Sequence, residues 1–454
     1  MKPIRLIASF FVAAALALFA EPAASIAQDS GKIPLIRDAE IENTIRIYAK
    51  PVLEAAGLVP GSLSVHLVLD DRLNAFVAGG QRIFINTGLL RNAQDANGII
   101  GVLAHETGHI AGGHLAQMQE NMRNASAQSV IALVLGAVAA GVSGNPEALV
   151  AGATMGQSAA TGSFLHYNRS MESQADQAAL RYLEDTGQSA RGLMDILNQL
   201  QNQEVLAAGR QDPYLRTHPL SQERITTVRS HVEQSKFSDI PPGDLLDYLQ
   251  RRMRGKLNGY IDPPERTLAR YKADDTGVEA RYARVHAMEK LHRADDAVAI
   301  MDGLIAEKPN DPFFYETKGY VLWKAGRIGE SLDPYRRSVE LSNGLPLLRM
   351  NLAQALLELD SPDAAREAVE QLNQAIRYEQ QMPHVWRLLA TGYGRLEDFG
   401  AAAYALAEEA LLQRDRKGVE RHVAKALELL PPGSPMHSRA LDIRFLMEGI
   451  DKPG

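Results

Sequence analysis

The sequence predicts a two-part α+β chain: a mainly helical N-terminal domain built around a small β-sheet, followed by an all-α repeat array. Three observations lead there. Short β-branched runs flank the pair Gly79-Gly80, an H-E-x-x-H motif spans His105 to His109 in an apolar helical stretch, and beyond about residue 267 small and large residues recur roughly every 34 positions. A length of 454 residues suits two or three domains at about 150 residues each. An apolar content of 45% is enough to bury ordinary cores, and a net charge of −7 lacks the basic excess of a nucleic-acid binder. The absence of cysteine excludes a disulfide framework, a thiolate metal site, a cysteine nucleophile and a lipidated cysteine anchor.

Taken in order, the chain opens with Lys2 and Arg5, an apolar run from Leu6 to Ala20, and the small-x-small triplet Ser25-Ile26-Ala27. These are the parts of a secretory signal, and the run is shorter than the roughly 20 residues a membrane span needs. Residues 1–27 are therefore expected to be a cleaved signal peptide. An exported chain without cysteine fits a bacterial periplasm. Residues 28–255 form the expected first domain. Within it, 33–59 read as an amphipathic helical start, Ser64–Leu69 and Phe76–Ile85 as strands with a hairpin turn at Gly79-Gly80, and helix from about Asp95. Residues 129–163 are rich in Ala, Gly and Val, which suits a buried helix or a mobile plug that touches a membrane surface or a client. Gly259, Pro263 and Pro264 mark 256–266 as a linker.

Residues 267–454 carry the period. Val285, Gly319, Ala353 and Ala390 are spaced by 34, 34 and 37 residues. Twelve positions after each anchor stand the small Ala297, Ser331, Ala365 and Ala402, and sixteen after each the apolar Met301, Tyr335, Val369 and Leu406. Small residues are needed where two helices of a hairpin touch, and large ones fill the space between hairpins. With Trp386, Leu389, Ala390 and Tyr393 at W-x₂-L-G-x₂-Y spacing, the segment resembles tetratricopeptide repeats beginning near 278, 312, 346 and 383, with 416–430 as a capping helix.

The chemistry lies in the first part. On a helix, His105 and His109 sit one turn apart on one face and present two imidazoles to one zinc, with Glu106 beside them as general base. A catalytic zinc normally has three protein ligands and an open position. His114 falls one residue short of the position that H-E-x-x-H-x-x-G-x-x-H assigns to a third histidine, so it reads as a neighbour of the site rather than a ligand. Glu172 and Asp176 repeat the i, i+4 spacing; one carboxylate can bind metal while the other orients a ligand histidine.

H-E-x-x-H followed some 60 residues later by E-x-x-A-D resembles the gluzincin family that includes HtpX and the CAAX prenyl proteases. Asn74-Ala75-Phe76, Gly88-Leu89-Leu90 and Thr217-His218-Pro219 extend that resemblance over about residues 60–230. It implies a gluzincin-like metallopeptidase domain with one Zn²⁺ held by His105, His109 and Glu172, Glu106 as base and Asp176 behind the ligands. His218 either contacts the reaction's oxyanion or closes the site as an inhibitory fourth ligand. An extended substrate is expected to pair with the strand Asn74, Ala75, Phe76 and Val77. A signal peptide, a catalytic domain and C-terminal repeats together resemble the periplasmic BepA type of this family. That likeness implies an endopeptidase with chaperone-like activity toward unfolded or misassembled outer-membrane proteins, whose assembly machinery the repeats would meet. The alternative is a non-proteolytic assembly chaperone or adaptor with a closed or vestigial metal site.

Overall fold

The computed structural model describes residues 34–118, 120, 169–206 and 218–450. The expected signal peptide, the 129–163 segment and Thr217 lie outside these residues. The first domain is built on a four-stranded sheet, β1 (Leu35–Ile36), β2 (Ser64–Val68), β3 (Ala75–Ala78) and β4 (Arg82–Asn86), in the order β1-β2-β4-β3. β2 and β4 run parallel, while β1 and β3 pair antiparallel with them. Alternation sets the two faces: Val65, Leu67, Ile83, Ile85 and Ala75 point into the core, and His66, Phe84 and Phe76 to the other side. Helix Ala39–Ala55, capped by the Asp38 side chain, packs Ile41, Ile45, Tyr48 and Val52 into the same core as Ile99 and Leu103.

The stretch 256–266 is not a loose linker. Residues 256–261 complete the helix Asp244–Ile261, and a further helix, Pro264–Arg270, follows at once. The reason lies in Gly259, which acts here as a packing residue. A Cβ there would stand 2.5 Å from the Ala283 carbonyl oxygen, so the glycine lets helix Val278–Lys290 press against this one. Leu249, Met253 and Leu257 of the same helix belong to the core of the first domain.

Beyond it, helices Val278–Lys290, Ala294–Glu307, Pro312–Lys324, Ile328–Leu341, Pro346–Leu356, Pro362–Ala375, Pro383–Arg395 and Phe399–Gln413 form four hairpins, each packed on the next. Val285, Gly319 and Ala353 are buried on the first helices, and Ala297, Ser331 and Ala365 on the second; the Tyr335 ring lies against Gly319 within their shared hairpin. Helix Arg416–Leu429 follows as expected, but it is not the end: Pro435–Ile450 adds another helix against it.

The two halves meet through buried charge. Arg252 pairs with Glu40 of the first helix and with Asp311 at the start of the second hairpin. Lys256 Nζ lies 2.7 Å from Asp38, 3.1 Å from Glu40 and 3.6 Å from Glu316. Arg37 donates to both oxygens of Glu379, at 2.8 and 3.0 Å.

Candidate metal centre

The H-E-x-x-H helix spans Ala96–Ala111, and Asp95 caps it by accepting the Gly98 N–H at 3.2 Å. Ile99, Ile100, Val102, Leu103 and Ala104 are all buried, so the helix is sheathed in protein on every side. The helix over 169–185 crosses it at Gly108. A Cβ there would stand 2.8 Å from the Ala175 carbonyl oxygen, and this close approach is what sets Glu172 and Asp176 over the histidines.

Nε2 of His105 and Nε2 of His109 face each other at 3.1 Å. The Glu172 carboxylate lies 3.3 Å from each of them. His218 Nδ1 stands 3.0 Å from Glu172 Oε1 and 3.4 Å from His105 Nε2. One donor atom from each of these four residues falls within 4.8 Å of all the others. Behind them, Asp176 Oδ1 is 2.9 Å from His105 Nδ1, and His114 Nδ1 is 3.0 Å from His109 Nδ1, so both imidazoles are held from their far side. Glu106 is fully buried beside the cluster, with neither carboxylate oxygen hydrogen-bonded, and His218 Nε2 is 3.6 Å away.

The charges are strongly biased. Burial alone would push the His105 imidazolium down, but Asp176 and Glu172 outweigh it and hold the ring protonated up to about 10. Burial pushes His109 down to about 3, with the His105 charge adding to it against Glu172. Without metal, an imidazolium therefore faces a neutral imidazole. Burial would raise Glu172, but His218, His105 and His109 hold it well below the usual carboxylate range. Glu106 has no such donors, and burial pushes it up. Two imidazoles and an ionised carboxylate are a donor set for a divalent transition ion, and protons on the rings are what such an ion must displace.

Sequence reasoning missed Arg224. Its guanidinium spans the two acids: Nη1 lies 2.8 Å from Glu172 Oε2, while Nε and Nη2 lie 2.6 and 3.0 Å from the oxygens of Asp176. A signal was present. Arg224 falls in the first turn of helix Gln222–Gln234, behind the Ser221 cap, where a positive charge opposes the helix dipole and needs another partner. Among the described residues β3 is an edge strand of the sheet and neighbours the H-E-x-x-H helix; Asn74 and Ala75 are buried, and Phe76 and Val77 half-buried.

Residues 37–232, which contain every one of these groups, match the model of Peptidase family M48. Over that stretch the chain is similar to an M48 peptidase domain. The resemblance read from its motifs is borne out, and the chain is a metalloprotease. It is similar over most of its length to the beta-barrel assembly-enhancing protease of Yersinia pestis, at 23% identity over 372 residues, covering 80% of this chain and 74% of that protein. The protein of the same name from Escherichia coli (strain K12) is 22% identical over 386 residues, 84% of this chain and 78% of its own. A putative beta-barrel assembly-enhancing protease of Vibrio cholerae is 24% identical over 420 residues, 89% and 84% of the two chains. These alignments are longer than the M48 domain, so the likeness reaches into the helical hairpins as well.

Proposed function

We propose that the chain is an exported zinc endopeptidase that cuts misassembled envelope or outer-membrane proteins and assists their assembly. The observation that carries this reading is the convergence of His105, His109 and Glu172 beside a buried, unpartnered Glu106. The names of the relatives supply the client class. When bound there, zinc acts as a Lewis acid on a peptide carbonyl and makes water more acidic near neutral pH. His105 would give up its extra proton to hold it, while His109 is already neutral, and Asp176 keeps His105 in the required tautomer through Nδ1. Glu106 takes the proton of the attacking water and passes it to the leaving amine, a task suited to a carboxyl whose pKa burial has raised. His218 is read as a fourth ligand that keeps the site closed at rest.

Substrate lies extended along β3, so recognition goes mainly through backbone, which suits an enzyme with many clients. The hairpins are proposed as tetratricopeptide repeats that dock unfolded outer-membrane proteins or their assembly machinery. The proposed division is a signal peptide at 1–27, peptidase at 28–255 and repeats from 267, with helix Asp244–Ile261 serving both halves. A periplasmic location is proposed from the N-terminal pattern. Among the described residues no helix is long and apolar enough to cross a membrane, and 129–163 is the proposed point of peripheral contact.

Glu106→Gln tests the mechanism. It should keep stoichiometric zinc and lose about 10²–10⁴-fold in cleavage of an unfolded outer-membrane protein; cleavage at the original rate would refute it. The placement of His218 inside the ligand cluster favours a second reading, an assembly chaperone with a closed metal site. Client maturation that continues at full rate in Glu106→Gln would support it.

A further inference from the structure

The outer face of the sheet carries a feature that metal chemistry does not explain. His66 on β2, Phe84 on β4 and Phe76 on β3 are direct cross-strand partners, His66 opposite Phe84 and Phe84 opposite Phe76. Their rings stack in a row, with centroids 4.7 Å apart and planes 17° apart for the first pair, and 5.0 Å and 5° for the second. That repeat equals the spacing of strands in a sheet, about 4.8 Å. The row ends at Phe76, on a strand that among the described residues pairs only with β4.

The backbone of β3 fixes what an added strand would meet. The Asn86 N–H donates to the Asn74 carbonyl at 3.0 Å, so 74–86 is a hydrogen-bonded pair, and alternation makes 76–84 and 78–82 the next ones. The N–H and C=O groups of Ala75 and Val77 therefore point away from β4, toward the open edge. A chain pairing antiparallel with them places one residue directly opposite Phe76 in a non-hydrogen-bonded pair, the closer of the two kinds, with its side chain on the outer face. A ring at that position continues the stack without any shift of backbone.

We propose that Phe76, backed by Phe84 and His66, forms a subsite that selects an aromatic side chain in the substrate. This rests on the strand-addition reading given above. It would give a backbone-reading enzyme a preference for extended segments with a ring at one register position, so that not every exposed strand is cut alike.

The test uses the full, metal-loaded chain carrying Glu106→Gln and a set of ten-residue β-prone peptides in which one Phe is moved through successive positions. Dissociation constants are measured by fluorescence anisotropy. One position of Phe should bind about two- to tenfold tighter than the peptide with Ser there. Phe76→Ala should remove that gain at that position alone, and Phe76→Tyr should restore it. Phe84→Leu should reduce the gain by loosening the ring behind. A flat profile, or a gain that survives Phe76→Ala, overturns the subsite. Val77→Pro separates this from failure of the underlying reading, because it deletes an outward N–H while sparing the bonds to β4. Binding that survives Val77→Pro, or that is absent for every peptide, overturns strand addition itself.

Discussion

Arg224→Met removes the guanidinium that spans Glu172 and Asp176 while keeping a stem of similar length. The two carboxylates are each 1% exposed and Arg224 3%, so water cannot replace the lost partner. Breaking a buried pair from one side costs about 3–5 kcal/mol. Each kcal/mol moves the midpoint of a domain of this size by about 2–4 °C, so the metal-free protein should melt about 10 °C lower. A divalent ion returns positive charge to the same acids, so excess zinc should recover part of the loss. Holding Glu172 and His105 less firmly should also weaken metal binding by about 10–100-fold. Thermal unfolding with and without chelator, and competition against a chromophoric chelator, read both effects. A metal-free midpoint within about 2 °C of the original, together with unchanged zinc affinity, would show that Arg224 does not hold these acids. Arg224→Lys should fall between the two, since an ammonium keeps the charge but loses the fork that meets both carboxylates.

His218→Ala should raise peptidase turnover and lower zinc affinity, because it removes one of four convergent donors; lower turnover at saturating zinc would instead assign His218 to the oxyanion. The metal-free protein should lose stability as pH rises from about 6.5 to about 10. The raised His105 pKa contributes stability that is complete below the unfolded value and lost through the folded one. A urea midpoint that stays level or climbs across that window would contradict the assignment. The depressed Glu172 and Asp176 act in the opposite sense, their contribution being present above the ordinary carboxylate range and lost in acid. Gly108→Val should force the two helices of the site apart at Ala175, costing about 1–3 kcal/mol and most of the zinc affinity, as metal analysis after dialysis will show. A chain ending at residue 262 should fail to unfold cooperatively by circular dichroism, because Arg252 and Lys256 would lose Asp311 and Glu316.

Features with a fixed local spacing were readable from the sequence. One helical turn relates His105 to His109 and Glu172 to Asp176, and the hairpin period placed Val285, Gly319 and Ala353 on buried faces. Features set by contact across the fold were not. Gly259, Pro263 and Pro264 carry the marks of a break, yet Gly259 is small because Ala283 presses on it. The parallel pairing of β2 with β4 cannot be told from a run of strand-like residues, since each strand's alternation is blind to its neighbour's direction. Helix Pro435–Ile450 lies beyond the last position at which the period holds. Arg224 sits more than 40 residues from the acids it bridges, and only its poor fit to a helix start marked it.

Helix Asp244–Ile261 has a mechanical consequence. It contributes Leu249, Met253 and Leu257 to one core and clamps the first hairpin of the other half through Gly259, so the array is not an arm on a tether. A client gripped by the hairpins would be offered to the blade at a set offset, like stock held against a fence. Which bond is cut would then depend on how far along the client that bond lies from the gripped segment, as well as on the residues beside it.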